Sequence, residues 1–141
     1  PARAVDVGLT AGATEGVVVP GPSHGGFYPA LGVALAFPTP AVTFLASLSL
    51  EWCFECGRGG FLLVGTADFP VAEHLGLDVN LTLLHDQPGL RFDQAVFFVG
   101  LGPGLSVLLG PVTLSAFVSA MLGGSPLGAS VVPGLAATYT F

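Results

Sequence analysis

Lysine and isoleucine are absent from this chain, and charge of either sign is scarce: 9% of residues are charged, against roughly 25% in an ordinary globular protein. Both missing residues have AT-rich codons, so their absence reads as the mark of a GC-rich genome rather than as physics. Three Arg stand against nine acidic residues, for a net charge of −6. That balance leaves no basic face for a nucleic acid, and a nucleic-acid partner is excluded. The 48 residues from Gln94 to Phe141 carry no charge at all. With 52% hydrophobic residues and a mean hydropathy of +0.81, the chain would struggle to cover a water-facing surface.

Long apolar runs are missing too. A spanning helix needs about 20 consecutive apolar residues. Gly100, Gly102, Pro103, Gly104, Gly110, Pro111, Gly123, Gly124 and Pro126 break every late stretch, and the longest clean piece, VTLSAFVSAML, has 11 residues. With 21 Gly and 12 Pro, long helices are excluded. Only helices and closed barrels cross a bilayer, because every backbone polar group there needs an internal partner. A membrane-like composition without helices leaves the barrel. No signal peptide is visible, as expected of a processed chain.

What is present is a period of two. Near the start, Val5, Val7 and Leu9 alternate with Asp6 and Gly8. Leu31, Val33, Leu35 and Phe37 alternate with Ala and Gly; Phe44, Ala46, Leu48, Leu50 and Trp52 alternate with Leu45, Ser47, Ser49 and Glu51. Leu75, Leu77, Val79, Leu81 and Leu83 alternate with Gly76, Asp78, Asn80 and Thr82. Alternation of this kind marks strands with two different environments. The spacing predicts eight strands, near residues 4–10, 30–37, 42–52, 61–69, 75–83, 95–109, 112–122 and 131–141. Gly110-Pro111 is the favoured turn between the sixth and seventh, with the GPG at 102–104 as its rival. The connections sort by parity: PTP, FPVAEH and GP are short, and the alternate ones are longer or more polar.

Aromatic residues cluster at the strand ends. Phe37, Phe44, Phe69, Tyr139 and Phe141 fall toward the short-turn end, and Phe27, Tyr28, Trp52, Phe54 and Phe61 toward the other. Two girdles bracketing an apolar band are expected of membrane barrels. Phe37, Phe44, Trp52, Phe69, Tyr139 and Phe141 are therefore the candidate membrane-interface residues.

The whole pattern resembles the small eight-stranded outer-membrane barrels of the OmpA and OmpX type. Phe141, with Tyr139 two residues before it, resembles the C-terminal signal that such proteins present to the barrel-assembly machinery. The resemblance implies an all-β fold, a single antiparallel up-and-down transmembrane barrel over residues 1–141, in the bacterial outer membrane. Its short turns and both termini would be periplasmic, with longer loops outside. The chain departs from that class in Pro103 and Pro133, which sit inside expected strands and each remove a ladder hydrogen bond. Its inward face is also rich in Ala, Gly, Ser and Leu and poor in Arg and Lys.

Asp6, Glu51, Asp68 and Asp78 all fall on the expected inward face, and Asp68 and Asp78, which flank the same turn, are expected neighbours across a hairpin. Carboxylates inside a narrow barrel are hydrated, protonated or metal-bound. The expectation is either a watered lumen without cofactor or a hard cation such as Ca2+ or Na+ held by some of these four. Cys53 and Cys56 form a lone CFEC. No second pair completes a zinc site, and no helix follows to make a redox motif. In an exported chain the two are expected to form a disulfide pinning the loop after the third strand.

Ser23 and His24 in the first outer loop and His85 and Asp86 near the third are the residue types a rim hydrolase would use, though solvated loop residues are the default. Three functions follow. The leading one is a non-enzymatic outer-membrane barrel with a structural, membrane-integrity or adhesive role carried by its loops, its partners being the bilayer and cell-envelope or surface-layer components. The second is a soluble β-rich self-assembling subunit of a capsid, pilus or surface layer. The third is a lipid-modifying enzyme at the barrel rim.

Overall fold

A strand whose alternate side chains prefer different media is stable only in a sheet with one medium on each side. The computed structural model is such a sheet. It describes residues 5–15, 17–18, 27–54, 57–88, 96–123 and 128–141. The strands are β1 (Asp6–Glu15), β2 (Val17–Val18), β3 (Phe27–Pro38), β4 (Thr43–Cys53), β5 (Arg58–Ala72), β6 (Leu75–Pro88), β7 (Val96–Leu109), β8 (Val112–Gly123) and β9 (Gly128–Thr140). All neighbours pair antiparallel, in chain order from β3 to β9. β9 then returns to β1 and β2 in one register, Thr14 opposite Gly134 and Val17 opposite Val131. β1 and β2 are thus one stave, and the sheet closes as an eight-stranded barrel.

Its stagger follows from the register. Gly8 lies opposite Ala34, and the path continues through Ser47, Val64, Thr82, Gly100, Met121 and Ser130. It regains the first stave at Val18, ten residues beyond position 8. With strands about 4.8 Å apart and about 3.3 Å per residue, that stagger tilts them by about 40° from the barrel axis.

The strands are longer than alternation alone predicts. β1 runs on to Glu15, β3 starts at Phe27, β5 spans Arg58–Ala72 and β6 continues to Pro88. Antiparallel ladders zip past the last apolar residue wherever the partner backbone is in reach, whatever the side chain. The six residues FPVAEH, expected as a turn, are mostly strand; the turn itself is Glu73-His74, with a bulge between Pro70 and Ala72.

Burial is the reverse of that in a water-soluble protein. Among the described residues the buried hydrophobic ones are Tyr28, Ala34, Cys53, Leu62 and Met121. The buried polar ones are Thr10, Ser49, Glu51, Asp78, Asn80, Thr82, Ser106 and Ser119. Along β6, Leu75, Leu77, Val79, Leu81 and Leu83 are exposed while Gly76, Asp78, Asn80 and Thr82 are buried. Large apolar side chains therefore cover the outside, and small or polar ones fill the lumen.

The two prolines expected to interrupt strands, Pro103 and Pro133, stand on the outer face. The β7–β8 pairing breaks between Leu101–Ala120 and Gly104–Phe117, where Pro103 has no N–H to give. On the other side Pro103 stays in register with Val79, and Pro133 is in register with Val118. The departures from a regular ladder are therefore absorbed locally, and the barrel closes around them.

One end of the barrel carries the short turns. Thr39 closes the first: its backbone N–H bonds Val42 O at 3.0 Å, and its hydroxyl accepts from Val42 N at 3.1 Å. Gly110-Pro111 closes the third, with Leu109 directly opposite Val112, so the GPG at 102–104 is strand and not turn. Gly110 has φ +64°, the left-handed value that a two-residue hairpin with glycine first requires. The C-terminus is at this end too, where Phe141 N donates to Val7 O at 3.1 Å. Gly110→Ala is expected to destabilise the barrel by about 1 kcal/mol. The urea midpoint of the protein refolded in detergent micelles would fall accordingly, and an unchanged midpoint would contradict the turn assignment.

Candidate functional site

The lumen is where polar chemistry collects, because register sends every second residue of all eight staves inward. Its lining is mostly neutral. Thr66 Oγ1 donates to Asn80 Oδ1 at 2.7 Å, and Ser106 Oγ donates to Asp78 Oδ1 at 3.2 Å. Thr82 Oγ and Ser119 Oγ lie 3.3 Å apart, and Thr138 Oγ1 donates to Thr10 Oγ1 at 3.3 Å. Hydroxyls suit this position: each can donate and accept, so staves satisfy one another without a charge, Thr82 and Ser119 reaching across β7.

Small residues let aromatic rings fill what remains. The Phe117 ring lies across Gly134, its register partner on β9, where a Cβ would collide with it. Tyr28 points into the lumen and is buried, so it does not belong to the outer girdle in which the sequence pattern placed it. On the outer face Trp52 covers Gly59, its partner on β5, in the same way.

Two spaces adjoin these side chains among the described residues. A cavity of about 80 Å³ lies inside, lined by Ser47, Ser49, Thr66, Asp68, Asp78 and Asn80 among others. At the short-turn end a wider vestibule of about 360 Å³ is lined by Asp6, Asp68, Glu73, His74, Ser106 and Thr113. Leu45, Asp68, Ser106 and Thr113 border both, so the inner cavity adjoins the vestibule.

This places the four carboxylates. Asp68 and Asp78 are direct register partners across β5 and β6. Asp6 borders the vestibule together with Asp68. Glu51 is near the opposite end, at the third-last position of β4, and is buried there with an interaction of its own. Among the described residues no three of His, Cys, Asp and Glu gather into a metal-holding group, so the four do not act as one set. Ser106 and Asn80 join the Asp68–Asp78 pair instead. Alternation put Asn80 on the right face; Ser106 could have been found by carrying the β7 period past Pro103.

Cys53 is fully buried and is not free, and Cys56 lies outside the described residues. Phe37, Phe44, Phe69, Tyr139 and Phe141 are all exposed on the outer face near the short-turn end. Phe37 and Phe44 are register partners, and the Tyr139 and Phe141 rings meet edge-on at 5.2 Å. Ser23 and His24 lie outside the described residues, as does the side chain of Asp86. His85 stands between Phe61, at 5.8 Å, and Phe97, at 4.8 Å between ring centres.

No protein-family model matches the chain, and no curated protein matches it. Solved structures do resemble it. The N-terminal β-barrel domain of Pseudomonas aeruginosa OprF superposes with a TM-score of 0.62 at 16% identity, over 96% of this chain and 97% of that one. Neisserial surface protein A gives 0.64 at 15% identity, over 97% of each chain. A barrel from the de novo design of transmembrane β-barrels gives 0.53 at 12% identity, over 96% of this chain and 95% of that one. At such identities the likeness is one of fold, and at that level the resemblance to small eight-stranded barrels holds.

The Thr82–Ser119 contact is the deepest of the lumen bonds: Thr82 is 2% exposed and Ser119 is 0% exposed. Thr82→Val strands the Ser119 hydroxyl and is expected to cost about 1–3 kcal/mol. Adding Ser119→Ala should return part of that loss, because no orphaned group is then left. Urea unfolding of the refolded single and double variants measures both.

Proposed function

We propose that this chain is an integral barrel of a bacterial outer membrane, non-enzymatic, whose role is structural or adhesive and is carried by the loops opposite the short turns. The observation that carries the reading is the inverted burial: leucine, valine and phenylalanine exposed along every stave, hydroxyls and carboxylates inside. In water such an outer face would aggregate; in lipid it needs no cover. Closure supplies the second requirement, a sheet with no unpaired edge. The same closure removes the free strand that donation between soluble subunits would use, which weighs against the assembly-subunit reading.

Outward aromatics supply the interface anchors. Phe37, Phe44, Phe69, Tyr139 and Phe141 would sit at the headgroups on the short-turn side, and Trp52, Phe61 and Phe97 on the other. The terminal strand ending in Tyr139 and Phe141 suits recognition by the barrel-assembly machinery. The similar structures, among them a neisserial surface protein and a designed transmembrane β-barrel, support the same environment. A buried Cys53 at the outer end of β4 fits a Cys53–Cys56 disulfide pinning the following loop. An inner cavity of about 80 Å³ holds only a few waters, so conduction is not the function assigned.

The test is electrophoretic migration of detergent-extracted protein with and without boiling. A faster-running unboiled band that forms only in detergent is expected; a species that stays soluble and folded without detergent would refute the membrane reading. Leu81, on the outer face midway along β6 and 57% exposed, gives a sharper measurement. Leu81→Arg should destabilise the barrel refolded in lipid vesicles by about 2–4 kcal/mol, the known range for a midplane arginine on a lipid-facing strand. If the face met water instead, the substitution would cost nothing.

A further inference from the structure

The periplasm-side lumen holds a group of oxygen atoms that the hydrogen bonds of the barrel do not use up. Asp68 and Asp78 face one another from β5 and β6, and Ser106 approaches from β7 with its hydroxyl 3.2 Å from Asp78 Oδ1. Asp68 Oδ1 is buried and has no hydrogen-bond partner. Two like charges directly opposite destabilise a strand pair unless something lies between them.

Asn80 adds a separate observation. It is 4% exposed, borders the same cavity as both carboxylates, and its amide Nδ2 is buried without a partner. The two ends of an amide differ only by which way round the group is set. Turned over, Asn80 keeps its bond to Thr66, now donating to Thr66 Oγ1, and delivers its carbonyl oxygen where the unpartnered nitrogen stands. The site then presents oxygen atoms alone.

The backbone lets these side chains converge. A Cβ on Gly76 would collide with Asp68 Oδ1 and Ser106 Oγ, and one on Gly104 would stand 2.8 Å from the Asn80 amide and 3.2 Å from Asp78 Cβ. The two glycines therefore admit the ligating side chains, and the room for an occupant is the inner cavity of about 80 Å³ that Asp68, Asp78, Asn80 and Ser106 all line. Access is from the vestibule, which Asp6 and Glu73 line together with Asp68.

We propose that Asp68, Asp78, Asn80 and Ser106 form a binding site for a hard divalent cation of the Ca2+ class, entered from the short-turn mouth of the barrel. Two carboxylates balance the double charge. With an amide oxygen, a hydroxyl and vestibule water they reach the six to eight oxygen ligands that Ca2+ takes in flexible geometry. Mg2+ demands a stricter octahedron and keeps its own water, which suits this irregular set less well. Thr66 holds the Asn80 side chain in place through a hydroxyl that can bond either end of the amide.

The experiment is calorimetric titration of Ca2+ into EDTA-treated barrel, refolded in non-ionic detergent, with heat-modifiable migration establishing that each variant is folded. One saturable site is expected. Asp68→Asn and, with both charges kept, Ser106→Ala should each weaken it, the former at least tenfold; Glu51→Gln, remote from the site, should leave it unchanged. A folded barrel that takes up no Ca2+ overturns the proposal and leaves the carboxyl groups to share a proton or water. Uptake that Asp68→Asn does not weaken, or that Glu51→Gln abolishes, overturns it as well.

Discussion

The backbone hydrogen bond is the interaction on which everything else here depends. A sheet bounded by hydrocarbon has no water to serve an orphaned N–H or C=O, so the ladder must leave none along an edge. Closing eight staves is the arrangement that does this, and closure imposes tilt, stagger and lumen width together. A stagger of ten fixes which residues share a level inside, and so which polar groups can meet. The prolines are tolerated within the same constraint: Pro103 keeps its registered neighbour Val79 on one side and interrupts the ladder only on the other, and Pro133 stays in register with Val118.

A lumen this narrow is filled by side chains, and its filling differs from a network of paired charges. Threonine and serine hydroxyls bridge staves, and glycines admit the Phe117 ring and the Asp68 carboxylate. Neutral bridges at 2.7–3.3 Å give Thr66, Thr82, Ser119, Thr10 and Thr138 partners without the desolvation cost of burying charge. The carboxylates are the exceptions, and Asp68 and Asp78 are concentrated toward one mouth. The barrel is therefore asymmetric along its axis: closely packed around Tyr28, Met121 and Cys53, and open toward the short turns.

Much of this was legible in the sequence because the period of two is a local signal. The faces of Leu75 to Leu83, the Gly110-Pro111 turn and the parity of short and long connections all come from residues near one another in the chain. Strand lengths were less legible, since β5 and β6 extend through Pro70 and Pro88 on the strength of a neighbour's backbone. Tyr28 was assigned to the wrong face for a related reason: it begins a strand whose start is hidden among glycine and proline. That Asp68 and Asp78 meet was legible, because they flank the same turn, and the register pairs them directly; how far Asp6 and Glu51 lie from that pair was not. Asp6, Glu51, Asp68 and Asp78 share a face by alternation, but their separation along the axis is set by stagger, a property of the closed ring.

The closing seam joins the two ends of the chain. Thr10 meets Thr138, 128 residues apart in sequence, whereas each hairpin from β3 to β9 pairs neighbours in sequence. Local hairpins zip within microseconds, but a contact of that separation must wait for nearly all of the others. Until it forms, the sheet has two raw edges and an apolar outer face at once, a species with no stable existence in water. For such a chain, closing the seam and covering the outer face are coupled steps rather than successive ones.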